Sequence, residues 1–158
     1  MKEKPPASAT RVLPGITVLN RQRALRVPQA ALEQFAQRAL RECLRIPTKG
    51  VSGLAGLAEV SVVLVSDRRM AELHRRFLNL PGPTDVITFQ HGEIFISVET
   101  ARKQARRFGT SVVSELRLYI AHGLLHLHGF DDTNHAEAAR MKRTQEKLVA
   151  VAAGSSSG

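Results

Sequence analysis

The chain has 158 residues, is 43% apolar and contains one cysteine, which suits one globular domain and excludes a disulfide-stapled scaffold. Lys and Arg number 23 against 14 Asp and Glu, for a net charge of +9, so the preferred partner is a polyanion, chiefly nucleic acid. No apolar run approaches the roughly 18 residues that cross a bilayer, so no membrane partner is expected, and the lone Cys43 suits a reducing cytoplasm.

In chain order, residues 1–13 read as a flexible N-terminal arm, basic at its start and without the apolar centre of a signal peptide. A short strand is expected near 16–20. Pro28 then opens a helix over 28–45, with apolar residues at helical spacing from Leu32 to Cys43. A Pro/Gly-rich loop precedes the β-branched run "AEVSVVLVSD", a buried strand near 58–65. Ser66 or Asp67 caps a helix over 68–79. "DVITFQHGEIFIS" reads as a hairpin with strands 85–89 and 93–97. Ser97 caps the next helix, which Gly109 ends. Thr110 or Ser111 caps a helix that is apolar on most faces and therefore buried. A last helix begins near His135, and 153–158 read as a disordered tail. The order β-α-β-α-β-β-α-α-α predicts an α+β fold, with a small mixed four-stranded sheet, in one domain over 14–152.

The chemistry concentrates in "AHGLLHLHGFDD", Ala121 to Asp132. His122 and His126 are four apart, so on a helix their imidazoles stack on one face within reach of one ion. Gly129 then breaks the helix, and Asp131 or Asp132 can fold back as a third ligand. Three protein ligands and an open position describe a catalytic zinc site, where a metal-bound water is acidic enough to attack near neutral pH. The weighed alternative is a pair of buried, hydrogen-bonded histidines. His128 points away from the pair and reads as a surface or capping residue. His74 and His91 read as surface. A HExxH metalloprotease uses the same spacing, but Gly123 stands where its glutamate base belongs. Glu115 shares the histidine face two turns away and is a candidate catalytic or ligand-supporting group or a member of a polar cluster, with a core-edge carboxylate paired with an arginine as the alternative.

These blocks resemble a known family. "HGLLHLHGFDD" is similar to the signature H-G-x-L-H-L-x-G-[YF]-D-H of the YbeY endoribonucleases, and "GPTDVITF" followed by "GEI" is similar to that family's second block. The resemblance covers roughly residues 56–148. It implies a zincin-like HxxxH site on a buried helix. It also implies a zinc-dependent single-strand endoribonuclease acting in rRNA maturation, at the small-subunit rRNA 3′ end, and in ribosome quality control. Its ligand spacing H-x3-H-x5-H lands on His122, His126 and Asp132, where Asp132 replaces a histidine. Thr84 and Asp85 match family positions, and they also form good turn chemistry at a strand start. The arginine that the family carries before this block is Leu78 here. A non-catalytic rRNA-binding or ribosome-assembly factor with a structural metal is therefore the alternative, with another metallohydrolase behind it. The expected partners are rRNA and the small ribosomal subunit. Expected phosphate contacts are Arg75 and Arg76 on one helix and Arg102, Arg106 and Arg107 on another. Aromatics make up 4% of the chain, so phosphate and shape contacts are expected to outweigh base stacking.

Overall fold

β-Branched and apolar residues at nearly every position of "EVSVVLV" make β2, Glu59–Val65, a strand that must be covered on both faces. The computed structural model, which describes residues 12–154, places it at the centre of the sheet. The sheet order is β1-β2-β4-β3, with β1 at Gly15–Asn20, β3 at Val86–Phe89 and β4 at Glu93–Ser97. β1 and β4 run parallel to β2, with Val62 opposite both Val18 and Ile94. β3 pairs antiparallel to β4 and forms one edge. This is the mixed sheet read from the sequence.

Five helices accompany it among the described residues: α1 Gln29–Leu44, α2 Asp67–Leu78, α3 Val98–Phe108, α4 Val112–His128 and α5 His135–Ala153. The strand period of two splits the apolar residues between two clusters. Val60, Val62, Leu64, Ile94 and Ile96 join the main core with α1, α4 and α5. Val63, Val65 and Ile87 face the other way and meet Met70 and Leu73 of α2. Cys43 lies in the main core, where burial pushes its thiol up to about 12 and keeps it unreactive.

The element boundaries agree with the sequence reading to within a residue or two. The caps resolve to Ser66, Ser97, Ser111 and Asn134, each accepting a backbone N–H of its helix's first turn. Asn134 thus caps α5, and His135 is its first residue. A short 3-10 turn at Leu54–Gly56 lies in the loop read as irregular. Of the expected arm and tail, residues 1–11 and 155–158 lie outside the described residues. Ala153, read as the start of the tail, closes α5.

Two helices interlock at their starts. Asp67 accepts from Ser97 Oγ, from Thr100 Oγ1 at 2.6 Å and from Lys103 Nζ at 2.7 Å, while its own N–H donates to Glu99. Burial pushes the Asp67 carboxyl up, but the bonds from Lys103, Ser97 and Thr100 together hold it below its usual value.

The position of α4 decides the site. Its apolar faces bury Leu116, Ile120, Leu124, Leu125 and Leu127 completely or nearly so. Gly123 faces Ile94 of β4 so closely that a Cβ there would stand 2.7 Å from the isoleucine Cγ2. A glycine in mid-helix costs about 1 kcal/mol of helix propensity; here it lets the helix lie against the sheet. That explains on packing grounds why no glutamate follows His122.

Candidate metal centre

α4 ends at Gly129, whose φ of 112° is the left-handed conformation that glycine adopts freely. Its N–H donates to the His126 carbonyl at 3.1 Å, and the Phe130 N–H donates to the Leu125 carbonyl at 2.9 Å. This reversal carries Phe130 and Asp132 back along the helix. His122, His126 and Asp132 then converge, each with one donor atom within 4.8 Å of the others. The histidine Nε2 atoms are 3.0 Å apart, and Asp132 Oδ2 lies 3.9 Å from His122 Nε2 and 3.8 Å from His126 Nε2. Three ligands on a tetrahedral zinc ion stand about 3.3 Å apart, given zinc–ligand bonds near 2 Å. The observed spacings straddle that value.

The hydrogen bonds behind the imidazoles decide what fits between them. His126 Nδ1 lies 3.1 Å from the Phe130 carbonyl, which can only accept, so Nδ1 carries the proton. His122 Nδ1 lies 2.8 Å from Oε1 of Gln145 on α5, and in this amide orientation Oε1 accepts, so Nδ1 carries the proton there too. In neutral rings both Nε2 atoms therefore present lone pairs to each other at 3.0 Å. That arrangement is repulsive unless a cation sits at their focus. Burial, then the neighbouring His122, push the His126 imidazole below its ordinary value, although Asp132 pulls the other way. The ring is thus held in the neutral form that a metal needs. Asp132 is 45% exposed and stands at the open side of the pair.

A cleft opens beside the histidines, walled by the edge strand β3 from Val86 to Phe89 and by Leu78 at the end of α2. Leu78 is 49% exposed, an apolar side chain at the mouth of a polar site. The other residues read from the sequence divide. Glu115 is buried and accepts from Thr110 Oγ1 at 2.7 Å. Seven residues along an α-helix amount to roughly 10 Å, so it does not join the histidine pair. Asp85 accepts from the Val86 N–H at 2.8 Å and from Thr84 Oγ1 at 3.4 Å, the turn role weighed for both. Asp85 and Glu115 both act on Tyr119, whose phenol is pushed up by burial first and then by these carboxylates.

His128 corrects an expectation. It is 3% exposed, neither on the surface nor a cap. Its Nε2 donates to the Ile46 carbonyl and its Nδ1 accepts from Ser52 Oγ, both at 2.7 Å, which ties the α4 end to the loop after α1. His74 is also held, by the Gly82 carbonyl at 2.9 Å. His91 is exposed, as expected, and pairs with Glu93. Gln145 was not foreseen. It is 23 residues from His122, and no spacing rule links a glutamine on α5 to a histidine on α4.

Comparison with known proteins gives this geometry a relationship. The family model described as endoribonuclease YbeY matches residues 17–153. The chain belongs to the endoribonuclease YbeY family. YbeY relatives include a protein of Anaeromyxobacter sp. that is 38% identical over 119 residues, 66% of this chain and 62% of the relative. Another, from Moorella thermoacetica, is 38% identical over 117 residues, 62% of this chain and 75% of the relative. Both are named endoribonuclease YbeY. The solution structure of a Thermotoga maritima protein superimposes with a TM-score of 0.60 at 28% identity, covering 89% of this chain and 90% of that one. YbeY proteins are, by that name, endoribonucleases, hydrolases of the RNA phosphodiester backbone. No helix among the described residues is long and apolar enough to cross a membrane.

Proposed function

We propose that the protein is a zinc-dependent endoribonuclease that cuts single-stranded RNA, acting in the cytoplasm in small-subunit rRNA 3′-end maturation and ribosome quality control. The observation that carries the reading is the convergence of His122, His126 and Asp132, each with one donor atom within 4.8 Å of the others and the two Nε2 atoms 3.0 Å apart. His122, His126 and Asp132 are the ligands in this proposal. A divalent ion held there supplies Lewis acidity and a water acidic enough to attack phosphorus. Gln145 and the Phe130 carbonyl fix the two rings with Nε2 turned inward. In this proposal the cleft along β3, lined by Val86 to Gln90 and Leu78, takes the RNA strand, and Thr84 and Asp85, just before β3, are candidate catalytic residues. Arg75, Arg76, Arg102, Arg106 and Arg107 hold the phosphates that flank the cut bond.

Leu78 supports a second reading. The family arginine at this position would bring a positive charge to the phosphate in the cleft, and leucine brings none. The protein would then bind rRNA around a structural metal without cutting it.

One experiment separates the two. Purified wild-type protein and His126→Ala are assayed for bound metal and for cleavage of a single-stranded RNA; Leu78→Arg is tested beside them. The enzyme reading expects about one divalent ion per wild-type chain, cleavage that needs it, loss of both in His126→Ala, and faster cleavage by Leu78→Arg. RNA binding that survives full chelation, with no cleavage at any metal, selects the second reading. A wild-type chain without stoichiometric metal near neutral pH removes the metal centre from both.

A further inference from the structure

Phe89 lies on two surfaces at once. It lines the cleft that holds His122 and His126, and it lines a second groove on the α2 side of the sheet. That groove gathers rings from a chain with few of them. Phe77 meets Phe89 edge to face at 5.3 Å, Phe95 meets Phe89 at 5.7 Å, and His91 stacks on Phe89 at 5.7 Å and 24°. Three of the six phenylalanines are therefore here. Phe77 is 53% exposed. The few rings of the chain are thus concentrated beside the cleft.

The surrounding charge is cationic. Arg69 and Arg76, two turns apart on α2, line the groove, and the Arg76 guanidinium stands 5.4 Å from the Phe77 ring centre. Glu93 also lines it and is paired with His91, while Arg69 is paired with Glu72 at 3.1 Å. Arg76 has no carboxylate among the ion pairs of the described residues. Half-exposed rings with an arginine over one of them form the elements of a single-strand nucleic-acid platform: π-faces for bases and a cation for phosphate.

We propose that this groove is a nucleobase subsite, in which a base of the single-stranded RNA lying over β3 stacks on Phe77 while Arg76 takes its phosphate. The inference rests on the RNA reading above and deepens it. The subsite adjoins the metal centre through Phe89, so a base seated there sets which phosphodiester lies against His122 and His126. It accepts any base, because every base has a π-face.

The chain contains no tryptophan, so Phe77→Trp places a single indole in the groove at a half-exposed position. The probes are a short oligouridylate and an abasic strand of equal length and charge, both followed by anisotropy with metal chelated. Oligouridylate is expected to quench the indole emission of this variant while the abasic strand leaves it nearly unchanged. Phe77→Ala is expected to weaken oligouridylate about tenfold and to leave the abasic strand as it was. Equal quenching by both strands overturns the subsite. RNA binding by anisotropy with no quenching also overturns it, and so does Phe77→Ala binding oligouridylate like wild type, which would give the groove to a protein segment; the RNA reading survives these results. No binding of either strand, with metal chelated or supplied, overturns the RNA reading itself, and the subsite with it.

Discussion

At the residue scale, the candidate centre depends on which ring nitrogen carries the proton. His126 has a carbonyl behind its Nδ1 and His122 has the Gln145 side chain. The first is backbone and hard to disturb; the second is one substitution away. Gln145→Leu removes the acceptor, so the His122 ring is free to protonate Nε2 and turn its lone pair from the ion. We expect zinc affinity, measured by competition with a chromogenic chelator, to fall about 10–100-fold. Gln145→Glu keeps an acceptor and should hold zinc at least as well as wild type. Equal affinity in all three proteins would show that Gln145 does not orient the ring. Gln145 is half-buried, so an unchanged circular dichroism spectrum is the expected control.

At the element scale, α4 is where fold and site compete for the same residues. Its buried length must lie against β4, while its last two turns must present two imidazoles. Gly123 reconciles them by taking the close approach to Ile94, a fully buried neighbour whose Cγ2 is fixed to the backbone by its branched Cβ. Gly123→Ala gains about 1 kcal/mol of helix propensity but overpacks the interface by about 1–3 kcal/mol. The expected result is a net loss of stability and a Tm a few degrees lower, since about 1 kcal/mol corresponds to roughly 2–4 °C at this size. A Tm equal to or above the wild-type value would mean that the helix sits farther from the sheet than described. The same contact bears on peptide hydrolysis: a glutamate at 123 would meet Ile94 from within the core and could not serve as a base in the cleft.

At the scale of the whole molecule, the net charge is +9, and α2 and α3 each carry four cationic side chains. Arg75, Arg76, Arg106 and Arg107 are exposed and Arg102 is half-buried. Each phosphate contact on a single strand contributes about 0.7 to the slope of log affinity against log salt. A double substitution Arg106→Gln, Arg107→Gln should flatten that slope by roughly 1.4 if α3 tracks the strand. Titrating single-stranded RNA binding between low and moderate salt reads this directly. An unchanged slope would confine the phosphate contacts to α2, beside the aromatic groove.

The sequence by itself determined the elements and the principal histidine pair. Periodicity in α4, β-branching in β2 and a serine before each of three helices are local signals, and local signals are written in consecutive residues. The spacing of His122 and His126 belongs to the same class, because a helix fixes it. A fold-back after Gly129 was legible too, but that it brings Asp132 within 3.9 Å of both came only with the Phe130 N–H bond to the Leu125 carbonyl. Tertiary structure alone decided the rest. His128, two residues beyond His126, turned into the core because Ile46 and Ser52, about 80 residues earlier in the chain, offered it partners. Gln145 reached His122 because α5 packs along α4. Phe77, Phe89 and Phe95 came together because α2 crosses the face of the sheet that the main core does not use. In each case the deciding contact joins residues on different elements, and hydrophobic packing, which sets those distances, depends on the folded shape of all the elements at once.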